Sequence, residues 1–150
     1  MANLTNLYAG TEPRTPYSAG EGNVNTISVQ FDVGTDNLNA NDEWHVIRLP
    51  ADASIIHAAI EADDLDTDGT PAIVLDLGIT GDSDAIIDGA TVAQAGGYAA
   101  ATAIPLGPQA ADYDVFVTVQ VAPDAAQAGT ARVDLTYIRT ATTSTSEPAY

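Results

Sequence analysis

The sequence contains no cysteine and no lysine, and only one tryptophan, Trp44. Without cysteine there is no disulfide scaffold, no thiolate zinc site and no cysteine nucleophile. Without lysine the positive charge rests on four arginines, Arg14, Arg48, Arg132 and Arg139, against 21 acidic residues, a net charge of −17. Phosphate recognition needs clustered Lys and Arg to displace counterions, so nucleic acid is excluded as a partner. An anionic membrane surface is excluded for the same reason. No apolar run approaches the ~18 residues of a membrane span, and no basic stretch precedes an apolar run at the N-terminus, so no secretory leader is expected. What is present is a 45% hydrophobic content, enough to offset the entropy of ordering one domain.

The hydrophobic pattern has period two. Ile27, Val29, Phe31 and Val33 alternate with Ser28, Gln30 and Asp32, which predicts a half-buried strand. Tyr113 to Val121 repeats the pattern, with Tyr113, Val115, Val117, Val119 and Val121 inward, Asp114, Thr118 and Gln120 outward, and Phe116 as an aromatic on the solvent side. Ala131, Val133, Leu135 and Tyr137 form a third inward row, and Ile73, Leu75, Leu77 and Ile79 a fourth with Asp76 opposite. Strands are also expected over 43–49 and over 98–104; 54–62 fits a strand with Ile56, Ala58 and Ile60 on one face and also a helix through Ile55, Ile56, Ala59 and Ile60, and the strand is favoured. Residues 81–97 fit one short helix, with Asp82 or Ser83 as N-cap and Gly89 as its stop. Gly, Pro and Asx clusters separate the runs. The expected fold is all-β: a single β-sandwich or jelly-roll-like domain over 24–139. An extended N-terminal arm, 1–23, precedes it, and a short, flexible Ser/Thr-rich tail, 140–150, follows.

The sharpest local motif is Asp64, Asp66 and Asp68 followed by Gly69. Alternating carboxylates before a glycine open an EF-hand calcium loop. Here the position that should carry the closing glutamate is Leu75, and Pro71 interrupts the loop. A solvated Asx-rich turn is therefore the expected role. His45 and His57 form no HxH or HExxH pair; they read as a surface strand histidine and a partly buried one. No Gly-x-Ser-x-Gly elbow occurs. Gly81-Asp82-Ser83-Asp84 lacks the second glycine, and no phosphate cradle has its lysine. Neither an enzymatic role nor a cofactor is expected.

Two stretches carry a family resemblance. One runs from Ala62 through Asp-Asp-Leu-Asp-Thr-Asp-Gly-Thr-Pro-Ala-Ile-Val-Leu-Asp-Leu-Gly78 into Ile79–Gly97. The other joins Val115–Val121 to Ala128–Tyr137. Together, over about residues 24–138, the chain resembles the decoration (cement) proteins of tailed-bacteriophage capsids. The resemblance implies a β-sandwich or jelly-roll domain on the outer surface of the virion, bound to the major capsid protein and associated with itself as a homotrimer. It carries over no catalytic residues. A sandwich binding carbohydrate through calcium at Asp64, Asp66 and Asp68 is the alternative, and a two-carboxylate hydrolase a third.

Contacts are expected from two sets of residues. Leu4, Leu7, Tyr8 and Tyr17 are too sparse to form a core of their own yet costly to leave in water. With Arg14 they make the arm the expected interface to the capsid or another partner. Val74, Phe116 and Ile138 are apolar side chains on faces that the alternation assigns to solvent, and they are expected to serve self-association.

Overall fold

The computed structural model describes residues 24–103 and 106–139. Among the described residues the chain forms eight strands: β1 (Val24–Val33), β2 (Glu43–Leu49), β3 (Ala53–Ala62), β4 (Val74–Ile79), β5 (Asp82–Ala90), β6 (Gly97–Ala100), β7 (Tyr113–Val121) and β8 (Gly129–Arg139). They form two four-stranded sheets, ordered β1-β8-β3-β6 and β2-β7-β4-β5. Every pairing is antiparallel. Apart from the β4–β5 hairpin, each strand is followed by one in the opposite sheet, so the chain winds around the core as a jelly roll.

The alternating rows meet between the sheets. Ile55, Ile60, Val133 and Leu135 from the first sheet and Leu49, Leu75, Leu77, Val115, Val117 and Val119 from the second are fully buried. At the β1 and β2 edges Phe31 stacks on Trp44, ring centroids 5.6 Å apart, and ties the sheets together. Tyr113 is buried, and its hydroxyl donates to the Ala53 carbonyl at 3.0 Å. Burial, with a smaller contribution from Tyr137, pushes its pKa up to about 12, so the hydroxyl keeps its proton.

Five sequence expectations are corrected. Residues 82–90 are strand β5 and not a helix, and only Val92–Gln94 make a short 3-10 turn. Gly81, at φ +87°, closes a two-residue turn between the paired Ile79 and Asp82, which sends the chain straight back along β4. The β-branched Ile86 and Ile87 suit that strand. On β3, Ile55 and not Ile56 faces the core: the register shifts between Ile55 and His57, leaving Ile56 38% exposed. On β7 an irregularity opposite Val74 and Leu75 turns Val121 out of the inward row, 41% exposed. Thr118, expected in water, is buried. The strand expected over 98–104 is shorter: β6 ends at Ala100, and Ile104 lies outside the described residues.

Candidate partner-binding surfaces

Asp66 is 1% exposed, and five backbone N–H groups close around its carboxylate. Ala72, Ile73 and Asp124 donate to Oδ2 at 2.7, 3.2 and 3.2 Å. Ala125 and Asp68 donate to Oδ1 at 2.9 and 3.3 Å. Burial, the largest single influence, raises its pKa, but the N–H groups of Ala125, Ala72, Asp124 and Ile73 together outweigh it and bring it down to about 2. Asp64 and Asp68 are spent on their own turns, Asp64 accepting from Asp66 N and Asp68 from Thr70 N and Oγ1. The three carboxylates thus build a knot of Asx turns. Asp66 pins the 63–73 loop to the 122–128 loop, helped by backbone bonds from Thr67 N to the Ala125 carbonyl and from Gln127 N to the Leu65 carbonyl. Among the described residues no three Asp, Glu or His side chains are placed to hold a metal ion together.

His45 and His57 lie on different sheets. Both are exposed, which corrects the expectation that one of the two is partly buried; His57 follows the bulge at Ile56, which leaves it on the solvent face. His45 Nε2 sits 3.1 Å from Asp114 Oδ1, and Arg48 reaches Asp114 and Asp112 at 3.8 and 4.0 Å. On the other sheet Arg132 pairs with Glu61 and with Asp134.

The three apolar residues singled out for self-association do not form one patch. Phe116 lies mid-sheet on the β2-β7-β4-β5 face, half-buried, with its ring 5.3 Å from that of His45. It pairs in register with Gly78. A Cβ on Gly78 would come within 2.2–2.3 Å of the Asp82 and Ser83 backbone, so the start of β5 crosses directly over this face. Much of the cover that Phe116 needs comes from its own chain. Val74 pairs with Val121 at one end of the same face. Ile138 pairs with Val24 on the opposite sheet, where Val24 is 64% exposed. Val24, Ile56, Tyr98 and Val121 are exposed apolar residues that the alternation did not single out. The bulges that turn Ile56 and Val121 outward leave no mark in the period-two pattern.

Between the edge strands β5 and β6 runs an open groove of about 610 Å³, lined by Ile86, Ile87, Val92, Tyr98, Ala99 and Ala101 among others. Among the described residues Asp88 is the only carboxylate on its wall, which gives no pair there for acid–base hydrolysis. Leu4, Leu7, Tyr8, Arg14 and Tyr17 lie outside the described residues, as do the rest of 1–23 and the tail 140–150.

No family model matches the chain, and no curated protein does. Solved structures do. A chain in the capsid of Ralstonia phage GP4 is 28% identical, with 84% of this chain and 90% of that one covered at a TM-score of 0.73. A chain in the cyanophage Pam1 capsid asymmetric unit is 33% identical, with 79% and 86% covered at 0.68. A chain in the acidic stable capsid of Helicobacter pylori bacteriophage KHP30 shares the fold alone, at 11% identity and a TM-score of 0.60 over 79% and 90%.

Proposed function

The chain belongs to the family of bacteriophage capsid proteins, and from that premise we propose that it is a decoration, or cement, protein. In this reading it sits on the outer surface of the shell, bound to the major capsid protein, and reinforces it. One observation carries the proposal: the similarity runs over nearly the whole of a separate chain in each capsid, and the described residues of the present chain fold into one jelly roll. Such a sandwich has its core filled by its own side chains and is suited to being added to a shell. The net charge of −17 favours the outer side, because packaged DNA would repel it.

The role is structural and not enzymatic, and the copies associate as a homotrimer. Ile138 with Val24, and Val74 with Val121, are the proposed apolar contacts between copies, with Phe116 contributing only its uncovered edge. The arm, through Leu4, Leu7, Tyr8, Arg14 and Tyr17, is the proposed attachment segment. The calcium-dependent carbohydrate reading is disfavoured, since Asp66 is already committed to backbone donors.

Co-sedimentation with purified capsids stripped of accessory proteins tests this. The full chain is expected to bind, and deletion of residues 2–20 to leave the strand signal of the sandwich intact while removing most of the binding. A full chain that does not sediment with capsids overturns the decoration role. A truncated chain that decorates fully places the contact on the sheet faces.

A further inference from the structure

A jelly roll has four edge strands, and an unprotected edge is a template for pairing with another chain. Three of the edges here carry protection. β6 is four residues long. β5 breaks register twice against β4 and carries Asp82, Asp84 and Asp88. β2 has an irregularity between His45 and Ile47 and bears Glu43, His45 and Arg48.

β1 has none of these devices. It runs ten residues in unbroken register with β8, from Val24↔Ile138 to Val33↔Gly129. It contains no proline and a single charge, Asp32, in a chain of net charge −17. Among the described residues no strand pairs with its other side. The inward row beside that open side, Ile27, Val29 and Phe31, is only half-buried, while its counterparts on β8, Ala131, Val133 and Leu135, are fully buried. Among the described residues, the edge from Thr26 to Val33 therefore has no partner strand on its open side and only partial apolar cover.

We infer that β1 from Thr26 to Val33 is a strand-addition site, and that its occupant is residues 3–9 of a second copy of this chain. The inference deepens the self-association proposed above and rests on it. The arm joins the fold at the first residue of β1, so the segment outside the structure begins at this very edge. Asn3-Leu-Thr-Asn-Leu-Tyr-Ala9 is its stretch free of proline and glycine. As a strand it puts Leu4 and Tyr8 on one face, beside the half-buried Ile27–Val29–Phe31 row, and Leu7 on the other. The stretch just before β1 cannot take the place. Pro13 and Pro16 are three residues apart, so in any strand one of them turns its missing N–H toward the partner.

Residues 10–23 then act as a linker. Fourteen residues span at most about 45–50 Å, and the two prolines favour extended conformations that carry residues 3–9 away from their own β1. Passing each arm to the next copy in one direction closes a ring, which is compatible with a trimer. In this arrangement Leu4 and Tyr8 are taken by the neighbouring copy, and the shell contact proposed for the arm narrows to Leu7, on the outward face, and to Arg14 and Tyr17 in the linker.

The test compares the full chain with a Leu4→Asp/Leu7→Asp variant, which leaves the sandwich sequence untouched, by light scattering and amide hydrogen exchange without capsids. The full chain is expected at a multiple of the single-chain mass, with the amides of 26–33 protected throughout. The variant is expected at single-chain mass, with alternate amides of 26–33 exchanging at least tenfold faster. A full chain of single-chain mass with β1 fully protected means that the arm folds onto its own edge, which overturns the inference. So does a variant whose β1 exchange is unchanged, whatever its mass. Capsid co-sedimentation separates the two proposals: decoration by a variant that has lost its β1 protection keeps the shell-binding role, and a full chain that fails to decorate leaves the strand exchange to be judged in solution.

Discussion

At the scale of single residues, two aspartates in similar burial respond to pH in opposite directions. Asp66 has its pKa lowered, so its contribution to stability is fully present above about 3.8 and is lost as pH falls through about 2. Asp66→Ala leaves buried N–H groups unsatisfied at about 1–3 kcal/mol each. We expect a loss of at least ~3 kcal/mol in urea unfolding at pH 7, shrinking below pH 3; a variant as stable as the parent would show that the two loops hold without it. Asp76 is the reverse case. Burial raises its pKa, opposed by the Gly89 N–H and reinforced by Asp88 and Asp84. Folding therefore opposes its ionisation, and stability falls as pH rises from 3.8 through the raised value. Thr118, opposite Asp76 in register, has a buried hydroxyl without a hydrogen-bond partner among the described residues. Asp76→Asn keeps the acceptor for Gly89 and offers a donor on the Thr118 side. Its melting temperature should rise by ~2–4 °C at pH 7 and match the parent's at pH 3; a drop at pH 7 would mean that the charge is compensated. The turn role of Asp64, Asp66 and Asp68 was legible from Pro71 and Leu75, but the solvated setting expected for it is corrected at Asp66, which is buried. The central place of Asp66 was not, because its donors Asp124 and Ala125 lie about sixty residues away.

At the scale of elements, clean alternation located β1, β4, β7 and β8, because period two is what a sheet with one wet face imposes; β2, β3 and β6 were found as apolar runs between turn signals, β3 against a helical alternative. It failed at β5. Asp82, Ser83 and Asp84 are residues that cap helices, and Ala85-Ile-Ile87 is ambiguous when short. What decides for a strand is the Gly81 turn and the open side of β4, neither of them local to 82–90. The crossing of β5 over Gly78 gives a sharp test. Any side chain at 78 must displace Asp82 and Ser83 backbone, so Gly78→Ala should cost at least ~2–3 kcal/mol and raise amide exchange across β4–β5. Gly34, with open space around its Cβ position, is the control and should accept alanine with little change. The exposure of Val24, Ile56 and Val121 was equally illegible, since it depends on bulges and on strand ends.

At the scale of the whole molecule, seventeen excess negative charges repel one another through a medium whose screening length is ~8–10 Å at ordinary ionic strength. The melting temperature should rise between ~10 mM and ~300 mM NaCl, and more steeply if the copies associate. A flat curve would show that the arginine pairs, Arg132 with Glu61 and Asp134 and Arg48 with Asp114, already handle the repulsion. EDTA should move the melting temperature by less than about 2 °C; a larger drop reversed by calcium alone would return the weight to a metal-dependent module. The jelly-roll order has one more consequence. Because β1 and β8 are neighbours with Val24 opposite Ile138, the described chain both enters and leaves at one end of the sandwich. The Asp66 knot and the 34–42 turn lie at the other. Under the proposed attachment through the arm, the end that holds Val24 and Ile138 is a mounting pole and the other a display pole: a peptide grafted between Asn39 and Asn41 should project from the end opposite Val24 and leave capsid co-sedimentation unchanged.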